Sequence, residues 1–596
     1  MQKNTLNAVA ESARTSIGFQ AFFKIISFLF NLVLLRYVDI KIYGVANVRL
    51  NLLYTTIVFL TREPFRKVCI DFKDAAYFQI NNLVLLCIPI GVFISLLLSF
   101  VWISLLEIPD IQYYKEGVYF YCLSAIIELL SEPFYIYLQS HLYLKPKIYI
   151  ESTTLFMKQM LLFIFVRFYP QFQLYCFIYS QLFYTLLITL MYIYYYLYYI
   201  HSNPDPFYTS ILSLFPHIEK NKPIFSTKHT PLILSFCKQS LIKQMLTESE
   251  KFVMTFLNIL SFQEQGLYEA INNIGSLVIR LLFLPLEDAF YLYFSKEFSE
   301  EKKKDIKQET MMIPFILLKF LFYIGITFIV FGYWYSPILL YIFGGKNLST
   351  PAGITLMRGC CFYVFIVGMN GISEAFFMAT SEKKKIDNFN YYLIFISVTF
   401  LICSSFLTYP YNNKYYNLYY NLYNKYNNLY NKYNNLYNKY NNLYNNNNYI
   451  LSTLSLSVFN KNSRGYLNVY THYYGALGLI LSNSISMGIR ILHHLYYLYL
   501  YSSSFNINYE QYFEPVLLVI AAYIVAYVIT KASYTLFGTL TLKNMIYHIA
   551  IGGLCFIGCI VAIFMFDADF MTQFSLILGL RRTKRNNNQS TKDKND

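Results

Sequence analysis

Charge is what this sequence has little of. Only 14% of its 596 residues are charged, against 56% hydrophobic and 20% aromatic, and the mean hydropathy is +0.38. Soluble globular chains carry about 25% charged residues, so the composition excludes an ordinary soluble domain and points to a polytopic membrane protein. Nucleotide and hydrolase signatures are missing too: there is no GxxxxGK[ST], no HExxH and no GxSxG. Direct drive by ATP and zinc- or serine-dependent hydrolysis are therefore not expected, and the chain reads as a non-enzyme with no catalytic residue, metal or cofactor. The ten cysteines include no CxxC pair with a partner motif and read as buried thiols. The net charge of +15 is spread in short clusters between apolar runs, the pattern of membrane-protein loops rather than of a nucleic-acid surface.

Runs long enough to span a bilayer, about 20 residues each, fall near 16–35, 44–61, 82–106, 117–139, 150–169, 174–199, 235–259, 266–293, 312–342, 353–379, 391–409, 474–498, 514–530 and 546–566. The count is about fourteen. The first run is interrupted by Lys24 and lacks a small-residue cleavage site, so it reads as a retained helix. Loop charge sets the orientation. One set of loops carries Arg62, Arg66, Lys67, Lys73, Lys302, Lys303, Lys304, Lys383, Lys384 and Lys385, and the tail adds Arg581, Arg582, Lys584 and Arg585. That set outnumbers the alternate one by about three to one. Both termini are expected in the cytosol. The sequon Asn347-Leu348-Ser349 falls on the expected lumenal side.

The stretches "DIKIYGVANVRLNLLYTTIVFLTREPF" (39–65) and "SFQEQGLYEAINNIGSLVIRLLFLPLEDAF" (261–290) share a design. Each closes a polar loop on glycine, Gly44 or Gly266, continues as an Asn-bearing apolar helix, and ends in a glutamate followed by phenylalanine. The spacing of six spans predicts two parallel repeats. A different repeat, "NKYNNLY" at 424–430, 431–437 and 438–444, has one leucine per seven residues and no coiled-coil seam, so 410–473 reads as a low-complexity lumenal insert.

Ionisable residues inside the spans are numerous for segments where each costs about 2.5–3.5 kcal/mol at mid-bilayer. They include Lys24, Glu128, Glu132, Glu151, Lys158, Lys238, Lys243, Glu248, Glu250, Lys251, Arg280, Glu287, Asp288, Glu374 and Arg490. Glu151 and Lys158 share a helix face and read as an ion pair. The basic set Lys24, Arg36, Arg62, Arg66 and Arg280 outnumbers its nearby carboxylates and is expected to line a net-positive cavity. Such a cavity selects an anion, and arginine grips phosphate with a bidentate fork.

Five blocks, "NVRLNLLYTTIVFLTREPFRK" (47–67), "ELLSEPFY" (128–135), "SFCKQSLIKQMLTESEKFVMTFLNIL" (235–260), "QGLYEAINNIGSLVIRLLFLPLEDAFYLYF" (265–294) and "NSISMGIRI" (483–491), closely resemble the eukaryotic oligosaccharide-lipid translocation proteins of the Rft family. That family shares a superfamily (MOP) with the MATE exporters and the bacterial lipid-linked precursor flippases. The resemblance is collinear over about 9–580 and departs at 410–473. It implies an all-α, MATE-like flippase fold: a cytosolic N-terminus (1–15), a six-helix bundle (16–200), a linker (201–234), and a second bundle (235–409 with 474–498). Two extra helices (499–566) and a basic tail (567–596) complete it. It also implies an endoplasmic reticulum protein that moves dolichol-pyrophosphate-linked oligosaccharide, with five mannoses and two N-acetylglucosamines, to the lumenal leaflet, or supports that step. Membrane lipids and other N-glycosylation proteins are the further partners it suggests, with no nucleic acid. In that setting Lys24, Arg36, Arg62, Arg66 and Arg280 are expected to hold the pyrophosphate. Glu63, Glu248 and Glu287 are expected to pair with those cations or gate the path. Two alternatives stay open: a non-transporting scaffold that binds the glycolipid, and an ion-coupled antiporter using Glu128 and Glu132.

Overall fold

The structure is a computed structural model that describes residues 22–577 except 24, 70–76, 142, 203–209, 211–213, 215–229, 258–259, 299–307, 409–462, 504–508 and 539–540. Regular structure among the described residues is helical throughout, with no strand. A short apolar helix, Ile25–Leu34 (α1), comes first. Five helices of membrane-spanning length follow: Ile40–Cys69 (α2), Asn81–Leu105 (α3), Tyr114–Ser140 (α4), Lys145–Phe168 (α5) and Pro170–Ser202 (α6). Next come four shorter, more polar helices: Thr230–Thr247 (α7), Ser249–Phe256 (α8), Phe262–Val278 (α9) and Leu284–Glu297 (α10). Six more of spanning length are Thr310–Asn347 (α11), Pro351–Thr380 (α12), Lys384–Thr408 (α13), Gly475–Ser502 (α14), Pro515–Phe537 (α15) and Leu542–Phe566 (α16). Ala568–Ile577 (α17) is the last described helix.

The protein is thus a multi-pass helical membrane protein with eleven candidate spans among its described residues. The three other expected spans, 16–35, 235–259 and 266–293, fall on α1, on α7–α8 and on α9–α10. Local chemistry explains the breaks. A turn at Glu248 separates α7 from α8. A π turn, Ile279–Phe283, joins α9 to α10, and another, Val45–Leu50, lies inside α2; such bulges bend a helix without ending it. The start of α9 is a capping box: Glu264 Oε2 accepts from Ser261 N at 2.9 Å, and Glu264 N donates to Ser261 Oγ at 3.4 Å.

The chain divides into two compact units. The first comprises Met1–Ala270 and Leu340–Thr350. In it α2 packs against α4 and α7, and α6 packs against α4 and α5. Its core includes Phe65, Val68, Leu83, Phe134, Ile188 and Tyr192. The two repeat glycines meet here: a Cβ on Gly44 would lie 2.5 Å from Gly266 N and 2.7 Å from its Cα. Two backbones approach this closely only where neither carries a side chain.

The second unit comprises Ile271–Leu339 and Pro351–Asp596. There α12 and α13 pack along α14, α10 packs on α12, and α15 packs on α16. Its core includes Ile316, Tyr323, Val519, Tyr523, Cys559 and Phe570. A buried ion pair, Lys319 Nζ to Asp567 Oδ2 at 2.6 Å, is joined by the Tyr323 hydroxyl donating to the same oxygen at 2.6 Å. It holds the α16–α17 turn on α11, so 568–577, read from sequence as part of the tail, is a packed helix. None of the ten cysteines is disulfide-bonded and most are buried. Residues 1–15, Lys24, the greater part of the low-complexity insert (410–462) and the basic tail beyond 577 lie outside the described residues; residues 463–473 belong to a helix, Ser463–Ser502, of which α14 is the spanning part.

Candidate functional site

Helix periodicity builds the centre of the first unit. Arg62 and Arg66 are four residues apart on α2, and Glu128 and Glu132 are four apart on α4, so each pair lies on one face of its helix. Helix packing brings the two faces together as a matched ladder. Arg62 Nη1 meets Glu128 Oε1 at 2.7 Å. Arg66 takes Glu132 in a fork, Nε to Oε2 at 2.7 Å and Nη2 to Oε1 at 2.6 Å. The Arg66 guanidinium also lies 3.6 Å from the Tyr135 ring centroid, a cation–π contact that fixes its plane. Both glutamates are buried, while the Arg62 and Arg66 side chains keep 27% and 16% of their surface exposed. These arginines therefore remain within reach of a ligand while their carboxylates do not.

A polar seam continues along α2 onto α7. Lys243 Nζ lies 3.4 Å from Glu63 Oε1, Lys67 Nζ donates to Gln239 Oε1 at 3.1 Å, and Gln244 Nε2 donates to Thr56 Oγ1 at 3.4 Å. Glu248 pairs with Lys251 at 3.0 Å.

Several expectations need correction. The carboxylates that neutralise Arg62 and Arg66 are Glu128 and Glu132, not Glu63, Glu248 or Glu287. Glu63 and Glu248 pair with lysines, and Glu287 has no ion pair among the described residues. The expected surplus of cations over carboxylates at Arg62 and Arg66 is absent, because the counterions come from another helix. Glu151 and Lys158 do not pair; they are seven residues apart, about 10 Å along the axis. The Lys158 ammonium instead hydrogen-bonds Gln181 Oε1. Glu128 and Glu132, on which the antiporter alternative relied, are each ion-paired with an arginine, and Glu128 Oε2 is left without a hydrogen-bond partner.

The remaining basic residues are placed differently. Arg36 sits ahead of α2, whose rise from Ile40 to Arg62 is about 33 Å, and its exposed guanidinium donates to the Ile342 and Phe343 carbonyls. Arg280, in the second unit, folds back on its own helix to Ser276 Oγ at 2.9 Å and Asn273 O at 3.3 Å. Lys24 lies outside the described residues.

Sequence reasoning missed Arg49. It is fully buried in α2, donates to Glu107 O at 2.5 Å, and lies 4.5 Å from the Phe262 ring centroid. Its signal was available, since an arginine stands inside the expected span 44–61. Lys319, inside 312–342, was missed in the same way.

The sequence pattern of a family described as Rft protein matches residues 8–414 and 439–576, leaving out 415–438 within the Asn/Tyr-rich insert. The Man(5)GlcNAc(2)-PP-dolichol translocation protein RFT1 of Mus musculus is 38% identical over 420 residues, 68% of this chain and 78% of that protein. The protein of the same name from Dictyostelium discoideum is 29% identical over 440 residues, 67% of this chain and 81% of its own. Among solved structures, a lipid II flippase MurJ in an inward closed conformation aligns with a TM-score of 0.55 at 12% identity, covering 94% of this chain and 99% of that one. At that identity the likeness is one of fold.

Proposed function

This chain belongs to the Rft protein family, and from that premise we propose that it acts on dolichol-pyrophosphate-linked oligosaccharide bearing five mannoses and two N-acetylglucosamines. The proposed role is transfer of that glycolipid from the cytosolic to the lumenal leaflet of the endoplasmic reticulum membrane, or support of that step. The observation that carries the reading is 38% identity over 420 residues to a protein named for this translocation. We further propose fourteen spans in two repeated bundles with two additional helices, and both termini in the cytosol.

The chemistry of the first unit supports an anionic headgroup. A bidentate arginine–carboxylate pair has the geometry of an arginine–phosphate pair. Arg62 and Arg66 are partly exposed and already oriented. In our reading the pyrophosphate takes over their donors from Glu128 and Glu132, and Lys24, Arg36 and Arg280 offer further cationic stations along the path. Glu63 and Glu248, held by lysines, serve as gating pairs. The polyprenyl tail stays in lipid.

The Arg–Glu pairs also favour a second reading. Because the arginines are neutralised without ligand, the unit has the makings of a stable holder that binds the glycolipid or partner proteins without moving it. Liposomes containing the purified protein and labelled glycolipid distinguish the two. Exchange faster than in empty vesicles supports translocation, and binding with exchange at the empty-vesicle rate supports the holder. Neutralising both arginines (R62Q/R66Q) is expected to abolish complementation of cells lacking the family member at normal expression. Full complementation by that variant overturns the pyrophosphate assignment.

A further inference from the structure

An arginine in the second unit stands without a counterion. Arg358 lies about two turns into α12, and its Nε donates to Tyr333 O on α11 at 3.0 Å. Its guanidinium carbon sits 4.2 Å from the Tyr333 ring centroid and 5.5 Å from that of Trp334. The stacking and the Nε bond together fix its plane. Nη1 and Nη2 have no hydrogen-bond or ion-pair partner among the described residues, and the residue is half-buried rather than sealed. Trp334 gives a second, independent sign. It is 9% exposed, and its indole Nε1 is buried without a hydrogen-bond partner. Buried tryptophan N–H groups ordinarily find an acceptor. Tyr527 and Tyr534 of α15, seven residues apart and so on one face of that helix, place their rings 5.6 and 5.3 Å from Trp334. Unclaimed N–H donors therefore meet beside aromatic rings where α11, α12 and α15 come together.

The helices packed there hold no acid to act as acceptor. From Thr310 to Ser373 and from Pro515 to Phe566 the sequence contains no Asp or Glu, whereas it contains Lys319, Lys346, Arg358, Lys531 and Lys543. Lys319 is committed to Asp567. The spanning part of α14, Gly475–Ser502, is likewise free of acids. Glu287 of α10 meets α12 at Gly371, thirteen residues and about 20 Å of helix rise from Arg358. Arg358 is about 10 Å along α12 from Pro351, and Tyr534 about 5 Å from the end of α15 at Phe537. An arginine at that depth reaches the headgroup level of a bilayer.

We propose that Arg358 and the Trp334 indole hold the headgroup phosphate of an anionic phospholipid, walled by Tyr333, Tyr527 and Tyr534. Guanidinium and indole N–H groups only donate, so the ligand has to accept, and phosphate oxygens accept several charge-assisted bonds at once. A source in the bilayer fits the place, because Arg, Tyr and Trp near the ends of spans are the side chains that meet lipid headgroups. A free anion entering this aromatic corner would lose its hydration with no lipid to carry it there. In the orientation proposed above the lipid belongs to the lumenal leaflet. The site uses none of Arg62, Arg66, Glu128 and Glu132, so it stands or falls apart from the pyrophosphate reading.

The sequence has only two tryptophans, Trp102 and Trp334, so in W102F the indole fluorescence reports on this corner alone. Purified full-length W102F in detergent is titrated with phosphatidylinositol. A saturable shift of the emission is expected, with affinity about tenfold or more weaker in W102F/R358Q. W102F/R358K, which keeps the charge without the fork, is expected to fall between them. Inorganic phosphate is expected to give no shift. Native mass spectrometry of the wild type and R358Q reads retained phosphatidylinositol directly, and it serves if W102F does not fold; R358Q is expected to lose the bound lipid. Cooperative thermal unfolding identifies the variants that fold, and R358K serves if R358Q does not. Absence of both the shift and the retained lipid overturns the proposal, as does undiminished binding in the folded Arg358 variants. Saturation by inorganic phosphate alone, or displacement of phosphatidylinositol by a polyprenyl pyrophosphate, overturns the phospholipid assignment in favour of a free anion or of the transported lipid.

Discussion

The two units differ in how far their charged side chains find partners of opposite sign. In the first, cations from α2 meet carboxylates from α4 in a matched ladder, Arg62 with Glu128 and Arg66 with Glu132. In the second, Lys319 on α11 pairs with Asp567 at the α16–α17 turn, while Glu287 on α10 and Glu374 on α12 have no ion pair among the described residues. The sequence does not reveal this difference, since it shows a basic stretch at 62–67 and adjacent acids at Glu287 and Asp288 without their partners across helices. Free charge in a membrane bundle is decided between helices. A local surplus of one sign in the sequence does not locate it.

The contrast has consequences for stability. Removing the Glu132 carboxylate (E132A) leaves the largely covered Arg66 guanidinium without its fork, a loss of about 3 kcal/mol. It is expected to lower the detergent melting temperature more than any other single charge change in the first unit. E128Q acts on a single contact to a more exposed arginine, and about 1–2 kcal/mol is expected for it. E63Q breaks the pair with Lys243, whose side chain is 54% exposed, and about 0–1 kcal/mol is expected. E374Q in the second unit is expected to change the melting temperature little, because Glu374 has no ion pair among the described residues to lose. A loss from E374Q as large as that from E132A breaks the comparison, and equal small effects at Glu132 and Glu63 break it from the other side.

Much of the fold was legible. Eleven of the expected runs fall on helices of spanning length, because an uninterrupted apolar stretch leaves few alternatives. The three that differ, on α1, α7–α8 and α9–α10, are short or carry polar side chains that turn toward protein, which dilutes hydropathy. The Gly44 and Gly266 repeat was visible as a pattern, but their mutual contact was not, since close approach depends on how two distant helices cross. The candidate site was half legible. Four-residue spacing put Arg62 with Arg66 and Glu128 with Glu132, yet partner choice across helices is set by packing. The same limit explains the misread Glu151–Lys158 pair, for which the true partner of Lys158 is Gln181 on α6. Arg49 was missed because attention to clusters passes over a single arginine inside an apolar run.

Leaflet exchange of the labelled glycolipid is the measurement that bears most directly on the central claim, that the Arg62–Arg66 ladder serves a pyrophosphate headgroup in transit. Liposomes holding the wild-type protein are predicted to exchange the glycolipid well above the empty-vesicle rate, and liposomes holding R62Q/R66Q to fall back to it. Exchange at the empty-vesicle rate with wild-type protein, or undiminished exchange with both arginines neutralised, contradicts the account.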